Sequence, residues 1–168
     1  MNRLKRYFML LSILCIPGGY RRAEYLKQKN YFKHIGEHCY LQPWNFGTEP
    51  HLISFGDNVH IATNVHFVNH DIINFMFDYM SSEYKYFSRQ GEIRIGNNVF
   101  IGGYSTILYD VTIGNNVIIG AGSLVNKDIP DGVIAAGVPC RVIGKFDEYM
   151  IRLRKWIGRL DFKESEMK

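Results

Sequence analysis

Residues 95–143 read IGNNVFIGGYSTILYDVTIGNNVIIGAGSLVNKDIPDGVIAAGVPCRVI, and the spacing inside this run decides the fold. Aliphatic residues recur at every sixth position: Ile95, Ile101, Ile107, Ile113, Ile119 and Val125. Four positions after each stands a small, β-branched or aliphatic side chain: Val99, Ser105, Val111, Val117, Ser123 and Ile129. Upstream, Phe55, Ile61 and Phe67 keep the same interval, with Val59 and Val65 as companions. An α-helix needs apolar residues at a 3.6-residue period, which a strict six does not supply. Each hexad reads instead as one short strand plus a corner. Three hexads close a triangular coil, and coils stack at about 4.8 Å, the ordinary distance between paired strands. The aliphatic column then points inward and stacks on itself, which gives a solenoid core.

The corners support this reading independently. Asn97-Asn98 and Asn115-Asn116 are three hexads apart, and Asp57-Asn58 occupies the matching hexad positions. Asn and Asp tolerate the left-handed backbone that a tight corner requires. Gly56, Gly96 and Gly114 precede these pairs and are expected to add backbone freedom.

Spacing alone does not fix the hand of the coil, and parallel crossovers are normally right-handed. The run with its IGAGS…KDIP…AAGVPCRVI ending resembles the C-terminal half of the hexapeptide-repeat acetyltransferases, among them the maltose, galactoside and capsule O-acetyltransferases. The resemblance covers Phe55–Ile143 apart from a variable loop. It implies an all-β fold, a left-handed parallel β-helix shaped as a triangular prism, with flanking N- and C-terminal α-helices. The chain then divides into an N-terminal helical segment (1–34), the prism (35–145) with an extruded loop (72–92), and a C-terminal helix (146–168). Residues 20–34 read as a short amphipathic helix. Residues 146–160 place Phe146, Met150, Leu153 and Ile157 on one helical face, which is expected to pack on the prism and cap the coil stack.

Composition narrows the function classes. The chain has 168 residues, 46% hydrophobic and 21% charged, as expected of one globular domain. A net charge of +4 suits an anionic small molecule, and no basic stripe with interleaved aromatics points to nucleic acid. Cys15, Cys39 and Cys140 form no CxxC pair, which fits neither a disulfide framework nor a cysteine zinc site and suits a reducing cytoplasm. Arg3, Lys5 and Arg6 precede the apolar run Tyr7–Ile16. That run is too short to span a bilayer, and no A-x-A cleavage site follows it. It is expected either to pack on a partner subunit or to lie on the inner membrane surface as a peripheral contact.

The hexads stop once, between Phe67 and Ile93, directly after Val68-Asn69-His70-Asp71. About twenty residues leave the coil there, and a loop of that length in a compact domain is usually functional or disordered. Acetyl transfer from a thioester to a hydroxyl needs a group that accepts the hydroxyl proton, and neutral imidazole suits this near pH 7. It also needs a donor for the developing oxyanion. His70 is the expected base, as the resemblance also implies. Asp71, adjacent to it, is the first candidate to orient the ring, although neighbouring strand residues point to opposite faces; Asp57 and a backbone carbonyl are alternatives. Asn69 is a candidate for placing the acceptor or the oxyanion. Within the loop Asp78, Tyr84 and Arg89, with Tyr79 and Tyr86, are candidate sugar contacts.

The resemblance implies acetyl-CoA as co-substrate. Gly103 and Ala121, three hexads apart, are expected to stack along one edge where the pantetheine arm can approach the backbone. Asn126, Lys127 and Arg141 carry over as coenzyme contacts, the two basic residues as phosphate partners. Phe100 is expected to wall the thioester channel. A coil edge is shallow, and the family resemblance implies a homotrimer with each site between two subunits. The longer loop and the unmatched N-terminal region leave acceptor specificity outside the resemblance, and a sugar or polysaccharide precursor is the expected acceptor. The alternatives are N-acetylation of an amino sugar, a metal enzyme like the γ-class carbonic anhydrases built on His60, His66 and His70, and an inactive trimeric scaffold. No metal is expected.

Overall fold

The computed structural model describes residues 3–80 and 83–158. Two helices, α1 (Arg3–Leu14) and α2 (Gly19–Gln28), precede the strands β1 (His34–Ile35), β2 (Tyr40–Leu41), β3 (Ile53–Phe55), β4 (Val59–Ile61) and β5 (His66–Val68). Helix α3 (Ile73–Met80) interrupts them. The series resumes with β6 (Ile93–Ile95), β7 (Val99–Ile101), β8 (Thr106–Leu108), β9 (Val111–Ile113), β10 (Val117–Ile119), β11 (Leu124–Val125), β12 (Val133–Ala136) and β13 (Arg141–Lys145), and ends in α4 (Phe146–Gly158).

These strands form the three faces of a prism. The first face is β1-β3-β6-β9, the second is β2-β4-β7-β10-β12-β13, and the third is β5-β8-β11. Every pairing is parallel except β12 with β13. Register follows the hexads: Ile93 pairs with Val111 and Val99 with Val117, in each case three hexads along the chain. Ile53 pairs directly with Ile93, so everything the chain adds between them beyond three hexads, α3 included, is extruded from the coil. The whole column from Ile95 to Val125 is buried, as are the companions from Val99 to Ile129.

Two kinds of corner residue share the work. Asn58, Asn98 and Asn116 take left-handed backbone angles, with φ of 55°, 56° and 54°. Their amides form a vertical ladder, Asn58 Nδ2 donating to Asn98 Oδ1 and Asn98 Nδ2 to Asn116 Oδ1, each at 2.9 Å. The residue before each one caps the coil beneath: Asn97 Oδ1 accepts from the Asp57 N–H at 2.7 Å, and Asn115 Oδ1 from the Asn97 N–H at 2.8 Å. The glycines before these pairs serve space and not backbone freedom. A Cβ on Gly96 would lie 2.8 Å from both Asn115 Oδ1 and the Gly114 backbone, and its φ is not positive.

The ends are closed differently from the sequence-based expectation. The helix expected over 20–34 stops at Gln28, because Asn30 turns left-handed (φ 48°) and Tyr31 N–H returns to the Leu26 carbonyl at 3.1 Å. Tyr31 and Phe32 then enter the core with Phe46, Phe55 and Phe67, ring centroids 4.9–6.4 Å apart. Helix α1 sits on its own prism through the buried Ile13. At the other end α4 does not cap the stack: Leu153 and Ile157 remain 39% and 44% exposed. Strand β13 has already folded back on β12 and satisfied that sheet edge, so the helix starts from the hairpin with Phe146 and Met150 only half-buried. Positions 159–168 of that predicted segment lie outside the described residues.

If spacing is what the corner glycines supply, Gly96→Ala should destabilise the fold by about 1–3 kcal/mol, the usual range for overpacking. Urea unfolding followed by circular dichroism reads this directly, and an unchanged midpoint would contradict the close coil contact.

Candidate active site

His70 follows β5 on the edge between the third and first faces, where the insertion begins. Its backbone bridges Gln90 on the returning leg. Beside it Asp71 N–H donates to the Arg89 carbonyl at 3.1 Å and Gly91 N–H to the Asn69 carbonyl at 2.9 Å. The insertion is therefore stitched shut at its base, with the imidazole on the rim. The ring lies in a cleft of about 320 Å³ whose walls include Gly47, Thr48, Phe67, Asn69 and Ile72.

The ring is oriented from the first coil. Nδ1 is 2.7 Å from Glu49 Oε2 and 3.1 Å from Thr48 Oγ1. A carboxylate only accepts, so in the neutral ring Nδ1 carries the proton and Nε2 keeps its lone pair. The carboxylate that holds Nδ1 in this structure is Glu49 and not the expected Asp71. Asp71 Oδ2 instead accepts from the Tyr109 hydroxyl at 2.8 Å. That hydrogen bond raises the Tyr109 phenol above its ordinary pKa. Asp57, the weaker candidate, caps the Glu37 N–H at a different edge.

Asn69 is 1% exposed, and neither its Oδ1 nor its Nδ2 has a partner. Unpaired buried amide atoms cost about 1–3 kcal/mol each, and Asn69 is one of the residues that line the cleft beside His70. The loop candidates divide. Arg89 Nη2 donates to Asp110 Oδ2 at 2.8 Å, and its guanidinium lies 5.2 Å over the Tyr109 ring. Asp78 Oδ1 accepts the Tyr86 N–H at 2.9 Å, and Tyr86 packs on Phe77. Arg89 thus ties the insertion to the next coil, and Asp78 bonds within the insertion. Tyr84 and Tyr79 are exposed. The insertion is partly helical, and none of the α3 side chains is buried.

The expected coenzyme residues fall on two edges. Gly103 and Ala121 share the edge between the second and third faces, where Gly122 N–H donates to the Gly103 carbonyl at 2.9 Å. Arg141 pairs with Ala136 at the top of that edge. Asn126 and Lys127 are exposed on the His70 edge, following β11. Phe100 stands outward on the second face between His60 and Ile118. His60 and His66 stand on different faces, β4 and β5, and do not converge with His70; among the described residues no three ligating side chains cluster.

Residues 92–127 match the family model described as bacterial transferase hexapeptide (six repeats). The chain is 45% identical over 125 residues to Protein CapG of Staphylococcus aureus, covering 73% of this chain and 71% of that protein. It is 37% identical over 151 residues to galactoside O-acetyltransferase of Escherichia coli (strain K12), covering 71% and 67%. Among solved structures, galactoside acetyltransferase in complex with coenzyme A superposes with a TM-score of 0.64 at 30% identity, over 88% of this chain and 82% of that one. A maltose O-acetyltransferase from Clostridium difficile 630 gives 0.62 at 26% identity, over 85% of each.

The Asp71–Tyr109 bond ties the insertion to the next coil, so Tyr109→Phe should raise amide hydrogen exchange across residues 71–89 severalfold, as expected when a local tie is lost. Exchange unchanged in that segment would mean the backbone stitches alone suffice.

Proposed function

The chain belongs to the hexapeptide-repeat acetyltransferases, with their left-handed parallel β-helix and acetyl-CoA as co-substrate, and we propose that it O-acetylates a sugar or polysaccharide-precursor hydroxyl with His70 as general base. The observation that carries this reading is the Glu49–His70 pair on the rim of a cleft, which leaves Nε2 open to an acceptor.

His70 Nε2 takes the acceptor hydroxyl proton as that oxygen bonds to the thioester carbonyl carbon, and Glu49 stabilises the imidazolium that results. Asn69 Nδ2, buried and unpaired, meets the acceptor or the oxyanion. Collapse of the tetrahedral intermediate breaks the carbon–sulfur bond, and the departing thiolate receives the proton from His70. Gly103 and Ala121 give the pantetheine arm a flat edge, with Arg141 for phosphate above them; Asn126 and Lys127 approach the coenzyme from the His70 edge. Two edges of one prism face different directions, so a single chain does not close this site. A homotrimer does, placing the His70 edge of one subunit against the Gly103 edge of the next. The loop tyrosines, Tyr84 among them, would then contact the acceptor. Three unpaired thiols, two of them buried, support a reducing cytoplasmic setting.

His70→Ala should reduce kcat by about 10²–10⁴-fold, measured by thiol release from acetyl-CoA across a panel of sugars. Glu49→Gln should lower kcat and alter its pH profile, whereas Asp71→Asn should leave that profile in place; the reverse order would return the orienting role to Asp71. Arg141→Ala should raise KM for acetyl-CoA about tenfold with kcat little changed, the loss of one charged phosphate contact. An unaltered KM would remove Arg141 from the coenzyme site.

A further inference from the structure

Helix α1 is held to its own prism by one side and bare on the other. Ile13 is fully buried and Met9 packs against the core, whereas Phe8, Leu11 and Leu14 are 62%, 59% and 52% exposed. Arg22 fixes the base of this helix: Nη2 donates to the Ile16 carbonyl at 3.2 Å, and Nη1 donates to the carbonyls of Leu41 and Gln42 at 2.8 and 2.7 Å. The same guanidinium lies over the Trp44 ring, 5.9 Å from its centroid, so an exposed indole stands at the foot of α1.

The sequence of this N-terminal segment is one-sided in charge. The sequence carries Arg3, Lys5, Arg6, Arg21 and Arg22 before its first acidic residue, Glu24. At 12 residues α1 is about 18 Å long, well short of a bilayer core, and no helix among the described residues is long and apolar enough to cross a membrane. A short helix with an exposed apolar face, cationic residues at its start and an exposed Trp fits one occupant, the interface of an anionic membrane, where it lies flat.

We infer that the α1 face docks the protein on an anionic lipid surface. The apolar side chains enter the acyl boundary, and the cationic first turns of the helix lie at the level of the lipid phosphates. Bound this way, the enzyme can work on acceptors carried in the membrane. The inference is independent of which acceptor is used.

The test is flotation of the full chain with vesicles of phosphatidylcholine alone or with about one-third phosphatidylglycerol. Wild type should float with the anionic vesicles only, and salt at about 0.5 M should release it. The double variant Phe8→Ser/Leu11→Ser and, separately, the triple variant Arg3→Gln/Lys5→Gln/Arg6→Gln should each weaken binding at least about tenfold. Native mass and acetyl transfer to a soluble acceptor should stay unchanged in both. Wild type that fails to float with anionic vesicles overturns the inference. So does a Phe8→Ser/Leu11→Ser protein of reduced native mass, because the face then belongs to a second copy.

Discussion

Each coil of three hexads must return to within about 4.8 Å of the coil below it, and the rest of the architecture follows from that closeness. At such spacing a corner has room for two things. One is a residue that tolerates a left-handed backbone, which Asn58, Asn98 and Asn116 supply. The other is a side chain short enough to accept the preceding coil's N–H, which Asp57, Asn97, Asn115 and Asp131 supply. The stacked isoleucines contribute most of the burial, but they stack only because the corners repeat without drift. Each coil therefore depends chiefly on its immediate neighbours, as in other solenoids.

This economy restricts where chemistry can be placed. The inward positions are filled by aliphatic and aromatic groups with two small serines bonded to the backbone, and one edge is committed to its Asn and Asp ladder. Of the other two edges, one carries small residues, Gly102-Gly103 and Gly120-Ala121, and stays flat. The other admits the insertion that holds α3. The proposed function sets its coenzyme on the flat edge and its base on the walled one, and for that reason it divides the site between neighbouring subunits.

The hexad pattern makes the prism, its buried column and the break at His70 legible, because a strict period is a local signal that no tertiary contact overrides. Glu49 is not legible in it. The first coil departs from the period, with Ile35 paired to Phe55 at more than three hexads and a 3₁₀ turn at Pro50–Leu52. Counting hexads backwards therefore does not bring Glu49 under the imidazole. Tyr109 occupies an unremarkable outward position in the pattern, and only the insertion brings its partner Asp71 to it. The placement of α4 escapes the sequence for another reason. An amphipathic face states that something apolar could cover it, but the β12–β13 hairpin, which carries no period, has already closed that sheet edge.

Three irregularities of this molecule gather in one place. Gly47 adopts φ 78° with the Phe67 carbonyl so near that a Cβ would sit 2.7 Å from it. Asn69 keeps two buried polar atoms without partners, and the insertion exposes an apolar helix to solvent. All three features surround His70, whereas the coils above it repeat without interruption. In a globular core, defects of this kind would propagate through shared packing. In a solenoid they stay local, because the later coils, which pair mainly with one another, hold their own register. The regular part of the prism therefore carries the stability that lets one coil be irregular, and that coil is where the proposed function sets its base and its amide.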